Sequence, residues 1–121
     1  MAIKVKSTAK QWLASKFGDT GNIFHASKIH IPQSLWWIDI PKKDIETPES
    51  NEIDLLCQAA PDSNKFYYLK VPVKFFKKEN LGFDVHGMLR LHLSAEPDKM
   101  FVQQRGSGKG KVRFHQFLQT L

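Results

Sequence analysis

The chain has 121 residues, 41% hydrophobic and 25% charged, which suits one globular domain with a single core. No apolar run approaches the roughly 20 residues of a membrane helix, and the basic N-terminal stretch MAIKVKSTAKQWLASKFG lacks the continuous apolar segment of a signal peptide. The formal net charge is +6 and the isoelectric point about 9.5, which suits a polyanionic partner or, alternatively, a solvated basic surface that aids solubility.

In chain order, STAKQWLASKFG predicts a helix. Ser7 or Thr8 caps it, Ala9, Trp12, Leu13 and Phe17 form its apolar face, and Gly18 ends it. GDTGNIFHASKIHIP carries turn signals and then extended character. SLWWIDIP predicts a strand ended by Pro41, and KKDIETPESN a polar connection. EIDLLCQA and KFYYLKVPV predict a hairpin around the turn APDSN. VKFFKKENLG predicts a short helix stopped by Gly82. MLRLHLS alternates cleanly, with Leu89, Leu91 and Leu93 on one face and Arg90, His92 and Ser94 on the other. MFVQQR predicts a short strand, RGSGKGK a loop, and VRFHQFLQTL a terminal helix through Phe114, Phe117, Leu118 and Leu121. The expected architecture is α/β: a small mixed central sheet flanked by helices, over residues 1–121 as one domain.

The charge is unevenly placed. No acid precedes Asp19 and none follows Asp98, so both ends are purely basic. In QQRGSGKGKVRF, Arg105, Lys109, Lys111 and Arg113 alternate with Gly106, Gly108 and Gly110. Glycines let a backbone approach a phosphate closely, and the cations hold it without reading sequence. Lys111 and Arg113 also fall near the start of the expected terminal helix, whose free N–H groups favour anions. DNA or RNA is the expected partner. The stretch has neither the spacing nor the hydroxyl of a Walker A loop, which excludes that mode of nucleotide binding.

The hairpin carries the most specific pattern. In NEIDLLCQAAPDSNKFYYLKV, Glu52, Ile53, Asp54, Leu55 and Leu56 precede a turn, and Phe66, Tyr67, Tyr68, Leu69 and Lys70 follow it. This resembles the PD-(D/E)xK nuclease family, the restriction-endonuclease-like and Holliday-junction-resolvase-like enzymes. The likeness covers about a sixth of the chain and implies a restriction-endonuclease-like core. It also implies a Mg²⁺ ion held by carboxylates on adjacent strands, with a lysine orienting the attacking water. By that likeness Asp54 is the metal ligand and Lys70 the catalytic cation. The motif departs from the family at Tyr68, which stands where the second carboxylate belongs. A phenol with a pKa of roughly 10 is neutral at pH 7 and a poor Mg²⁺ ligand. Glu52 shares a strand face with Asp54 and is the better substitute acid; Asp39, in WWIDIP, is the other.

The remaining candidates are weaker. Cys57 is alone, which excludes an internal disulfide and points to a reducing cytoplasm; in DLLCQ it reads as a small buried hydrophobe. His25, His30, His86, His92 and His115 form no zinc-like spacing. Ser27 and Ser94 have no triad pattern around them. Trp36 and Trp37 face opposite ways on one strand. Core packing on both sheet faces is the expectation for them, with base stacking or a homodimer contact as alternatives. The functional expectation is a nucleic-acid-binding protein on a nuclease-like core, either a metal-dependent phosphodiesterase or an inactive relative of one. The alternative is a non-enzymatic protein-interaction or regulatory module whose basic ends meet an acidic protein.

Overall fold

The structure is a computed structural model that describes residues 5–46, 50–78, 87–97, 100–102 and 112–120. Arg105, Lys109, Lys111, Gly82 and the glycines of the basic loop lie outside the described residues.

The first element, α1 (Val5–Phe17), has the expected apolar face, but it already includes Val5 and Lys6, so Ser7 and Thr8 lie inside the helix and do not cap it. Ala9 and Leu13, four residues apart, are buried on one face, and Val5, Trp12 and Phe17 widen that stripe. Gly18, at φ +82°, turns the chain away while its N–H donates to the Ala14 carbonyl at 3.0 Å. A left-handed residue is favoured there because only glycine adopts it without a Cβ penalty.

Two short strands follow, β1 (Ile23–Ser27) and β2 (Ile29–His30), then β3 (Leu35–Pro41) and a short helix α2 (Lys42–Glu46). The hairpin strands are β4 (Glu52–Gln58) and β5 (Phe66–Pro72), which lead into α3 (Val73–Lys78) and β6 (Met88–Ser94). A 3₁₀ turn (His115–Phe117) and β7 (Leu118–Gln119) complete the described elements.

The strands form two sheets. One is mixed, in the order β1-β4-β5-β7, with β1 parallel to β4 and the other pairs antiparallel. The other is antiparallel, in the order β2-β3-β6. Chain passes from the first sheet to the second at Lys28, between β1 and β2. Alternation then decides the interior. Ile53, Leu55 and Cys57 of β4, with Leu69 and Val71 of β5, meet Trp36, Ile38 and Ile40 of β3 and Leu89, Leu91 and Leu93 of β6. The indole N–H of Trp36 crosses the gap to donate to the Gln58 carbonyl at 2.8 Å. On the outer face of the mixed sheet, Leu56, Phe66 and Tyr68 pack under α1. Both faces of the hairpin are therefore core.

The mixed α/β class holds, but the flanking differs from expectation. One face of the mixed sheet is covered by α1 and the other by a second sheet, because β3 and β6 each present an unbroken row of apolar residues. The terminal helix is replaced by the 3₁₀ turn and β7, which pairs with β5 through Tyr68↔Gln119 and Leu69↔Leu118. Phe114 is fully buried against Phe75 and Phe76, and pairing with β5 satisfies backbone groups on that edge. Arg113 accordingly sits in an isolated bridge with Val102, and a single 3₁₀ turn, not an α-helix, follows it among the described residues. The polar connection after Pro41 also contains helix α2, anchored by the buried Ile45.

Candidate functional site

Asp54 lies on the α1 side of β4, directly opposite Lys70 in the β4–β5 register. Two-residue periodicity puts Glu52 on the same face of β4, and Tyr68 with Lys70 on the same face of β5. The structure thus brings Glu52, Asp54, Tyr68 and Lys70 together, as the hairpin pattern implies.

Their contacts are not those of an open metal site. Asp54 is 0% exposed. Its Oδ1 accepts from the Tyr68 hydroxyl at 2.7 Å and from the Asn22 amide at 3.1 Å, and its Oδ2 from the Thr20 hydroxyl at 2.5 Å. These neutral donors belong to β5 and to the α1–β1 loop, so one carboxylate ties three parts of the chain together. The loop is held in turn by its own short bonds: Thr20 Oγ1 accepts from the Asn22 N–H at 3.2 Å, and Asp19 Oδ1 from the Gly21 N–H at 3.0 Å. Gly21 stands at φ +70° within that turn.

Tyr68 completes the enclosure. Burial pushes its phenol pKa well above the usual value, and the hydrogen bond to Asp54 and the charges of Asp54 and Glu52 push it the same way. The hydroxyl stays protonated and donates to the carboxylate beside which the family would place a second acid. Glu52 and Lys70 pair with each other at 3.6 Å, each with more than a third of its side chain exposed. Such a pair contributes about 0–1 kcal/mol.

Mg²⁺ prefers hard oxygen ligands and keeps several waters. The residues here do not fit that ion: Asp54 has both oxygens engaged and no route to solvent, and Glu52 faces a cation. No group of three or more His, Cys, Asp or Glu residues with metal-site geometry occurs among the described residues. Asp39 cannot join Asp54 as a second ligand. It lies on β3 in the other sheet, exposed, with Oδ1 3.9 Å from the Arg90 side chain.

Sequence reasoning missed Thr20 and Asn22. GDTGN read only as a turn, yet its short polar side chains are what a buried acid on a neighbouring strand needs. It also missed the pairing of His25 Nε2 with Asp44 Oδ2 at 3.0 Å, which joins β1 to α2. Cys57 is buried, and burial raises its thiol pKa, in keeping with a small hydrophobe.

A second region lies on the outer face of the three-stranded sheet. Trp36 points inward and is fully buried, but Trp37 is 47% exposed, so the expected core packing of both indoles does not occur. His30 of β2 stacks on Trp37 at 4.4 Å between ring centroids and 24° between planes. His92 of β6 stacks on it at 5.2 Å and 18°. The three rings make a row across the sheet. Register creates it: Trp37 is opposite His92, and His30 is opposite Leu35, two residues away on the same face. At the β2 end, His30 lines a cleft of about 290 Å³ with Lys28, Ile29, Ile31 and Asp62 among its walls. Ile31 is 56% exposed.

No protein-family model, curated protein or solved structure matches this chain. No described helix is long and apolar enough to cross a membrane.

Proposed function

We propose that the chain is a nucleic-acid-binding protein whose restriction-endonuclease-like hairpin serves as scaffold, an inactive relative of the metal-dependent nucleases. The observation that carries the binding reading is the placement of charge. Helix α1 buries its apolar stripe and leaves Lys6, Lys10 and Lys16 exposed, with no acid in the helix. Arg113 is exposed at the other end of the chain. Arg105, Lys109 and Lys111 add cations in an acid-free segment. Lysines and arginines near a phosphate backbone release counterions, which gives affinity without sequence readout. The inactive reading is supported by the enclosure of Asp54 by Thr20, Asn22 and Tyr68.

Binding of labelled single-stranded and duplex DNA and RNA, measured against salt concentration, tests this. The expected result is affinity that falls steeply with salt, without cleavage in Mg²⁺ or Mn²⁺. Lys109→Glu with Lys111→Glu weakens binding and lowers the salt slope by roughly 2, about one per lost phosphate contact. Absence of binding to every probe at low salt overturns the reading. Cleavage abolished by Asp54→Ala restores the nuclease.

The second reading, a protein-interaction module, draws on the exposed Ile31 and Trp37. Large apolar side chains left in solvent, here Trp37 on β3 and Ile31 in the turn after β2, are common at protein contacts.

A further inference from the structure

We propose that the row His30–Trp37–His92 is a stacking platform for unpaired bases, so that the nucleic acid this chain binds is single-stranded. The proposal rests on the nucleic-acid reading above and adds to it a site and a strand state. It is drawn from the outer face of the three-stranded sheet, far in the fold from the nuclease-like hairpin's enclosed acid.

The geometry points to a flat ligand. Each imidazole plane lies within 24° of the indole plane, at centroid spacings of 4.4 and 5.2 Å. A row of this kind grows by one more planar ring, and every nucleobase offers a π-face irrespective of its sequence. The row also ends on an opening, since His30 is a wall of the 290 Å³ cleft. That volume lies at the small end of ligand clefts, suited to one base with its sugar rather than to a folded partner.

The overall charge of the chain favours the same occupant, while the charged groups beside the row balance one another. Lys28 is exposed on the cleft, and Arg90 is exposed on the same sheet face as His92, two residues away on β6. Their acidic neighbours are Asp62, in the cleft wall, and Asp39, against Arg90. The whole chain carries +6, so the field around the row attracts a polyanion. His30 is held below the usual histidine pKa by burial and by Lys28, which leaves a neutral ring to stack. In a duplex the bases already stack on one another, so a protein ring gains their faces only where they are unpaired.

Trp37 is half in solvent, so its substitution tests binding with little risk to the fold. The probes are a 12-nucleotide strand, the same strand as a duplex, and an abasic strand of equal charge. Wild-type protein is expected to bind the 12-mer at least tenfold more tightly than the abasic strand and the duplex. Trp37→Ala is expected to lose roughly 5- to 100-fold for the 12-mer and little for the abasic strand. Binding of the 12-mer is expected to quench tryptophan fluorescence in wild type and much less in Trp37→Phe. Lys28→Glu serves as a second variant and weakens all probes alike. Equal wild-type affinity for the strand, duplex and abasic probes overturns the platform while leaving nucleic-acid binding intact. No binding to any probe overturns both. A concentration-dependent dimer dispersed by Trp37→Ala, with no strand preference in the wild type, gives the face to a second copy of the chain and overturns the platform.

Discussion

Two outward faces of this molecule treat their polar and aromatic residues in opposite ways. On the mixed sheet, a carboxylate is drawn inside and saturated by Thr20, Asn22 and Tyr68 beneath α1. On the three-stranded sheet, an indole that would repay burial is left 47% exposed between two imidazoles. An enclosed acid with neutral donors holds a fold together, since both of its oxygens are engaged by the chain itself. The exposed Trp37 gives up roughly 1–3 kcal/mol of available burial, which the proposed base stacking would offset. The carboxylate that resembles a metal ligand is bonded within the fold, while Trp37, whose expected place is the core, faces solvent.

That contrast can be broken most severely at Asp54. Asp54→Ala leaves the buried hydroxyl of Tyr68 and the part-buried one of Thr20 without this acceptor, and chemical denaturation is expected to show a loss of about 3 kcal/mol. Nucleic-acid affinity of the fraction that folds is expected to be unchanged. If stability is retained and binding is lost, Asp54 belongs to a site and the contrast fails.

A smaller effect is expected at Tyr68. Tyr68→Phe removes one donor from Asp54 and costs about 1–2 kcal/mol. It also changes the alkaline limb. The folded state holds the phenol pKa above its unfolded value of roughly 10, so folded chain binds the proton more tightly. Its contribution is fully present below pH 10 or so and is lost as pH rises further. Stability of the wild type is expected to fall above that pH, and the fall to be shallower in Tyr68→Phe. Parallel curves for the two proteins contradict the assignment.

The smallest effects are expected at the half-exposed pair. Glu52→Gln or Lys70→Met is expected to change stability by less than about 1 kcal/mol. A double-mutant cycle with Trp37→Ala, on the opposite sheet, is expected to be additive in stability. Coupling between them would join the two faces that the fold keeps apart.

Much of this fold was legible because alternation and helical spacing are local. The face of α1, both hairpin strands and the row Leu89, Leu91 and Leu93 follow directly from them. The terminal segment was not, because Phe114, Phe117 and Leu118 suit helical spacing as well as a turn and strand. An open edge on β5 decides between them, and that edge exists only in the folded sheet. The candidate site divides in the same way. Glu52, Asp54 and Lys70 share a face by periodicity alone, whereas two of the donors that enclose Asp54, Thr20 and Asn22, come from more than thirty residues upstream. His30, Trp37 and His92 are far apart in the chain and meet only through strand register.

The most direct measurement is denaturant unfolding of wild type and Asp54→Asn, each with and without millimolar Mg²⁺. A ligand that binds the folded state at a hundred times its dissociation constant adds about 2.7 kcal/mol of stability. The expected result is that Asp54→Asn is less stable by about 1–2 kcal/mol and that Mg²⁺ changes neither protein. Stabilisation of the wild type by Mg²⁺ that disappears in Asp54→Asn would show that the carboxylate opens to a metal, and would contradict its role as a sealed anchor.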